Sequence, residues 1–130
     1  MSSWSTNSEP DPLSGEIIGA AITVHRELGP GLLESAYSEC LAVEFADRGL
    51  KFEREVFLPV TFKGRRVDCG YRMDFVVSQS VIVEIKAIEK VLPVHEAQLL
   101  TYLRISGVRT GLLLNFNVRA MKQGIYRRVL

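Results

Sequence analysis

The sequence has only two cysteines in 130 residues, Cys40 and Cys69, and they stand far apart. That count argues against a disulfide framework, and the spacing matches no common metal-ligand pattern. Both thiols read as packing residues of a reduced protein. Long apolar runs are missing too: none approaches the roughly 18 residues that a membrane-spanning helix requires. The opening stretch, "MSSWSTNSEPDP", lacks the basic start and apolar core of a secretory signal. It is polar and carries two prolines, and it reads as a disordered tail over residues 1–12. These absences lead us to expect a cytoplasmic protein with no membrane partner. Internal repeats are also lacking, and no low-complexity segment follows the tail. With 47% hydrophobic and 24% charged residues, positions 13–130 suffice for one domain with a real core.

The net charge of +1 conceals an asymmetry. From Met1 to Phe62, four Lys/Arg face ten Asp/Glu, giving −6; from Lys63 to Leu130, twelve face five, giving +7. Such an imbalance permits a basic face for a polyanion. A solvated mixed surface is the other reading.

Hydrophobic periodicity predicts the elements. "LSGEIIGAAITVHREL" places Ile17, Ile18, Ala21, Val24 and Leu28 on one helical stripe, ended by "GPG". "LLESAYSECLAVEFADRGL" predicts a second helix with Ala36, Tyr37, Cys40, Leu41, Ala42 and Phe45 inward. "FEREVFLPVTF" reads as one strand with Val56, Leu58, Val60 and Phe62 on one face, and Pro59 marks it as an edge. "KGRR" reads as a turn. Strands follow over residues 67–77 and 81–88, then a helix over "PVHEAQLLTYLRIS", a strand in "VRTGLLLNF" and another in "GIYRRVL".

Three charges sit inside the two central strands: Asp74, Glu84 and Lys86. In "SVIVEIKAI", alternation points Val81, Val83, Ile85 and Ala87 one way, and Ile82, Glu84, Lys86 and Ile88 the other. A strand so apolar is covered on both faces, where a charge is costly unless paired or coordinated. If Ser78–Gln79–Ser80 form the loop, Val77 faces Val81 and Asp74 faces Glu84, with Cβ atoms roughly 4.5–5.5 Å apart. A two-residue loop would send Asp74 to the other face. Two carboxylates that close repel unless a cation or a proton lies between them. With backbone carbonyls and water they suit a hard divalent ion such as Mg²⁺. Such an ion would polarise a phosphate and acidify a bound water, and Lys86 on the same face could position that water or meet developing charge. The rival reading is structural: a Glu84–Lys86 ion pair, with Asp74 bonded to Arg72.

At these residues the chain resembles the PD-(D/E)XK nuclease superfamily. Asp74 is similar to its second-strand aspartate, and Glu84-Ile85-Lys86 to its (D/E)XK element. "QLLTY" puts Gln98 and Tyr102 four residues apart, on one helical face, and resembles the QxxxY motif of bacterial helicase-nuclease modules. Upstream, "GLLESAY" resembles the Gly-x-x-Glu-x-x-Tyr signature of the small GxxExxY proteins, here Gly31, Glu34 and Tyr37. The superfamily's leading proline is absent, since Met73 precedes Asp74. The likeness extends over most of Leu13 to Leu130. It implies an α/β fold with a restriction-endonuclease-like αβββαβ core, a central mixed sheet flanked by helices, and an extra N-terminal helix.

The resemblance also implies a Mg²⁺- or Mn²⁺-dependent nuclease that hydrolyses phosphodiester bonds. Asp74 and Glu84 would hold the metal, Lys86 would assist the attacking water, and Gln98 would orient Lys86 or that water. Glu34 would be a water-mediated ligand or a water orienter; its other explanation is the dipole of the helix it opens. Tyr102 is either half-buried core or a phosphate contact. Lys90, Arg65, Arg66 and Arg104 are candidate phosphate contacts, with a solvated surface as the default. Tyr37 reads as packing, His25 as a helix C-terminal partner and His95 as a surface residue. The expected partner is nucleic acid, DNA foremost, with a second copy or a protein partner because the chain is short. The alternative function is a catalytically silent nuclease-fold module that binds a protein partner or nucleic acid.

Overall fold

The computed structural model describes residues 11–130. The tail expected over residues 1–12 therefore lies outside the described residues, save for Asp11 and Pro12. These two open helix α1 (Pro12–Leu28): the Asp11 carboxylate accepts the Ser14 N–H at 2.7 Å, and Pro12 occupies the first turn, where its missing N–H costs nothing. Helix α2 (Glu34–Asp47) follows. Five strands then form the main sheet in the order β1 (Phe52–Phe57), β4 (Arg72–Val77), β5 (Val81–Lys86), β6 (Thr110–Asn115), β7 (Ile125–Val129). Only β5 and β6 run parallel; the other neighbours are antiparallel. A parallel pair needs a crossover, and helix α3 (Pro93–Ser106) supplies it. The mixed sheet with flanking helices matches the restriction-endonuclease-like expectation.

Alternation along β5 assigns the two faces. Val81, Val83 and Ile85 join Phe75, Val77, Leu112 and Leu114 under α1 and α2. Ile82 joins Met73, Val76 and Leu113 under Leu99, Tyr102 and Leu103 of α3. Each such side chain fully buried contributes about 1.5–3 kcal/mol. On the α3 side the fit is close: a Cβ at Gly111 of β6 would lie 2.8 Å from Leu99 Cδ1. This contact sets the height of α3 above β6, next to β5, and with it the places of Gln98 and Tyr102.

One expected strand is two. The alternation from Val56 to Phe62 runs on across Leu58–Pro59, but pairing does not. β1 ends at Phe57, and β2 (Val60–Phe62) pairs with β3 (Arg65–Val67) in a separate two-stranded hairpin. Pro59 has no N–H to donate to a ladder. Leu58 turns inward instead and is buried on the α3 side. The strand expected over 67–77 is likewise shorter, starting at Arg72. Among the described residues no helix is long and apolar enough to cross a membrane.

Candidate active site

The β4–β5 connection is the three-residue loop Ser78–Ser80, with Ser78 and Gln79 in the left-handed region. The register is Val77↔Val81, Val76↔Ile82, Phe75↔Val83. One more step would place Asp74 opposite Glu84, and there the backbone ladder stops. Side chains replace it. The Asp74 N–H donates to Glu84 Oε2 at 2.8 Å, and the Ile85 N–H donates to Asp74 Oδ2 at 2.8 Å. On the other flank of β4, pairing with β1 passes from Arg54↔Phe75 to Val56↔Met73, omitting Glu55 and Asp74. Glu55 has φ +49°, costly for a residue with a side chain. Asp74 thus occupies a gap in both neighbouring ladders. The rival pairing of Asp74 with Arg72 is not formed; Arg72 lies 3.7 Å from Glu55 instead.

Crowding of acids governs the electrostatics. Glu84 is 6% exposed, and burial first, then the Asp74 charge, pushes its carboxyl up to about 8. The Asp74 amide and the Lys86 ammonium oppose that rise. Burial also raises Asp74, against the Ile85 amide and Lys86. Glu34, in the first turn of α2, is raised by desolvation and by Asp74, while Lys86 and the Ala87 N–H that it accepts pull it down. Four carboxylates (Glu34, Glu55, Asp74 and Glu84) and two cations (Arg54 and Lys86) therefore share one field. Lys86 is half-buried and makes no ion pair within 4 Å among the described residues.

The local sequence explains how these groups are held. The Tyr37 hydroxyl donates to Gly29 O at 2.6 Å and accepts the Leu32 N–H at 3.1 Å, while its ring stacks on Phe116 at 4.6 Å. The tyrosine of the Gly-x-x-Glu-x-x-Tyr stretch thereby closes the loop that delivers Glu34. Gln98 is half-buried on α3, one turn before Tyr102. Tyr102 is 4% exposed; burial and the charges of Glu84 and Asp74 push its hydroxyl up to about 12. Its ring meets Tyr71 edge-on at 6.2 Å.

A cleft of about 240 Å³ opens beside Asp74, lined by Glu34, Ser38, Arg54, Glu55 and Ile85 among others. A larger hollow of about 440 Å³ lies by the β4–β5 turn and is lined by none of the clustered acids. Chemistry, not size, singles out the smaller one. Arg65 and Arg66 are exposed on β3, Lys90 is exposed after β5, and Arg104 is exposed on α3 with Nη2 3.3 Å from Thr101 Oγ1. None of these four lines the cleft.

Three residues near the site lay outside the expected set. Arg54 donates to Glu39 Oε2 at 2.8 Å and to Ser38 Oγ at 3.1 Å, and its guanidinium lies 5.3 Å from the centre of the Phe75 ring. Asn115 faces Lys86 across the parallel ladder, and its buried amide bonds both the N–H and the C=O of Ile88, pinning the exit from β5. His95 Nδ1 accepts the Leu92 N–H at 2.8 Å, which places the proton of its neutral ring on Nε2; desolvation and Lys86 hold its pKa down. His25 departs from expectation more plainly. It is buried, and its ring nitrogen meets the Val118 carbonyl at 2.7 Å, tying α1 to the segment after β6.

Among the described residues no trio of His, Cys, Asp and Glu forms a ready metal cage. The pair nonetheless fits a hard divalent cation. One oxygen of each carboxylate is anchored to a backbone amide, and Asp74 Oδ1 and Glu84 Oε1 have no protein donor among the described residues. Mg²⁺ is commonly bound through one or two carboxylates and keeps several waters.

A family model described as the PD-(D/E)XK nuclease superfamily matches residues 11–129. No curated protein and no solved structure matches the chain.

Proposed function

The chain belongs to the PD-(D/E)XK nuclease superfamily, and from that premise we propose that it hydrolyses phosphodiester bonds of nucleic acid with Mg²⁺ or Mn²⁺. The observation that carries this reading is the reciprocal anchoring of Asp74 and Glu84, which leaves one oxygen of each without a protein donor among the described residues. These two residues would hold the ion. When bound, a divalent ion polarises phosphate and lowers the pKa of water. The burial that drives Glu84 toward protonation makes a cation the natural replacement for its proton.

The chain's own groups do the rest. Among the described residues Lys86 makes no ion pair within 4 Å, so it is available to a phosphate oxygen and to the attacking water. Gln98, half-buried on α3, would orient that lysine or the water. Glu34, which lines the cleft, would orient water there. Lys90, Arg65, Arg66 and Arg104 lie outside the cleft and serve as phosphate contacts along a longer substrate. Affinity is then strongly salt-dependent.

The test is cleavage of labelled single-stranded, duplex and branched DNA and RNA with Mg²⁺, Mn²⁺ or EDTA, comparing wild type with Lys86→Ala. Metal-dependent cutting that vanishes in the variant is expected. Binding without cutting on every substrate would replace the enzyme with a silent nuclease-fold module.

A further inference from the structure

The β2–β3 hairpin carries a surface that the active site does not use. Its turn, Lys63–Gly64, has φ of +52° and +73° at the two positions. A two-residue turn with both φ positive matches the twist of the strands and fixes their register. Val60 faces Val67, Thr61 faces Arg66 and Phe62 faces Arg65. Paired residues share a face, so Phe62, Arg65 and Val67 lie on one side and Arg66 on the other. Every residue from Thr61 to Tyr71 is exposed. Phe62 is 63% exposed, with the Lys63 ammonium 5.5 Å from its ring centre. Phe57, at the base of the hairpin, is 38% exposed, with the Arg66 guanidinium 5.8 Å from its ring centre.

Neither strand pairs with the main sheet. A lone two-stranded hairpin is marginal in water at best, so its exposed rings want a cover. The cover must suit the charge. From Val60 to Asp68, three cations (Lys63, Arg65, Arg66) face one anion (Asp68), a net of +2. A polyanion meets that charge, and only one with accessible flat apolar faces also meets the rings. A duplex keeps its base faces stacked inside; an unpaired strand offers them. We infer that this hairpin binds an unpaired nucleic-acid strand, with bases stacking on Phe62 and phosphates meeting Lys63 and Arg65, while Arg66 on the other face is paired with Asp68 at 3.1 Å. The inference rests on the nuclease reading for its link to catalysis and names the substrate form.

The placement fits. The Leu58 N–H bonds to Tyr71 O at 2.9 Å, and Phe57 pairs with Arg72, closing the hairpin base. Arg72 is two residues from Asp74, about 7 Å along a strand. Tyr71, 45% exposed, bridges the hairpin base to Tyr102. A strand held on the hairpin is thereby fed toward the carboxylates.

The test measures binding of the full-length protein to labelled oligo(dT) and to a blunt duplex in EDTA, where cutting is barred. Phe62→Ala should weaken oligo(dT) binding about tenfold and leave the duplex within about twofold. Arg65→Ala should weaken both and lower the salt slope by about one. Phe62→Trp in a Trp4→Phe background should keep the affinity, and its emission should be quenched by oligo(dT). Unchanged oligo(dT) affinity in Phe62→Ala, an equal loss on the duplex, or unquenched Phe62→Trp emission would overturn the inference. Strand binding through Phe62 with no metal-dependent cleavage would defeat the nuclease reading and leave this one standing. Cleavage abolished by Lys86→Ala but indifferent to Phe62 would do the reverse.

Discussion

The two ends of the β4–β5 hairpin are built from the same strands and do opposite things. Near the turn, Val77↔Val81, Val76↔Ile82 and Phe75↔Val83 pair regularly, and their side chains feed both apolar layers. A few residues away the ladder gives out, and two carboxylates take over its hydrogen bonds. The first end contributes stability and specifies register. The second spends part of that stability on acids that burial would rather see protonated. The acids are placed here by interrupting a sheet whose remaining pairs stay regular.

That contrast can be broken at either end. The largest effect is expected at the charged end. Asp74→Asn or Lys86→Ala should lower metal-dependent cleavage by about 10²–10³-fold or more, with a melting temperature close to wild type in calorimetry. At the apolar end the pattern should invert. Ile82, fully buried under α3, when changed to Ala should cost about 2–5 kcal/mol in urea unfolding, while the folded fraction keeps its turnover.

A third prediction uses pH. In the folded protein Glu84 keeps its proton to about 8, whereas the ordinary value is 4.5. Between those values the folded state holds a proton that the unfolded chain has released, so raising the pH favours unfolding. Metal-free protein in EDTA should therefore lose stability from about pH 5 to about pH 8, on the order of a few kcal/mol. Asp74 acts in the same direction. Glu84→Gln should flatten the profile, and Mg²⁺ should oppose the loss. Melting curves across pH read this directly; a wild type as flat as Glu84→Gln would mean that the acids are not crowded in solution. The smallest effect concerns the gap on the β1 side. Glu55 is held at φ +49°, with an exposed 3.7 Å contact to Arg72 and a charge that raises Asp74. Glu55→Gly should stabilise by about 1 kcal/mol or less, seen as a higher urea midpoint at unchanged slope.

Much of the fold was legible because it rests on parity, and the loop length brought Asp74 level with Glu84, although alternation itself breaks at Asp74, where Met73 and Val76 share the α3 layer. Alternation assigns the faces of β5, and a three-residue loop fixes which residue of β4 faces which of β5. What parity cannot give is hydrogen bonding, so the exchange of side-chain for backbone partners was invisible. Alternation also misled where it outlived the strand: Val56, Leu58, Val60 and Phe62 keep a two-residue rhythm across a break that Pro59 imposes. Arg54 was hidden for the same reason. In "FEREVF" it reads as one more solvated charge, and only the approach of α2 makes it a wall of the cleft. His25 read as a helix C-terminal partner because its bonded partner, the Val118 carbonyl, is 93 positions away.

Reciprocity between the two acids has one more result. Each carboxylate holds a backbone amide next to or within the other's residue, so neither is positioned on its own. Replacing one slackens the other, and a double variant should cost little more than the worse single one. The pair is in that sense one structural object, whose halves hold each other in place.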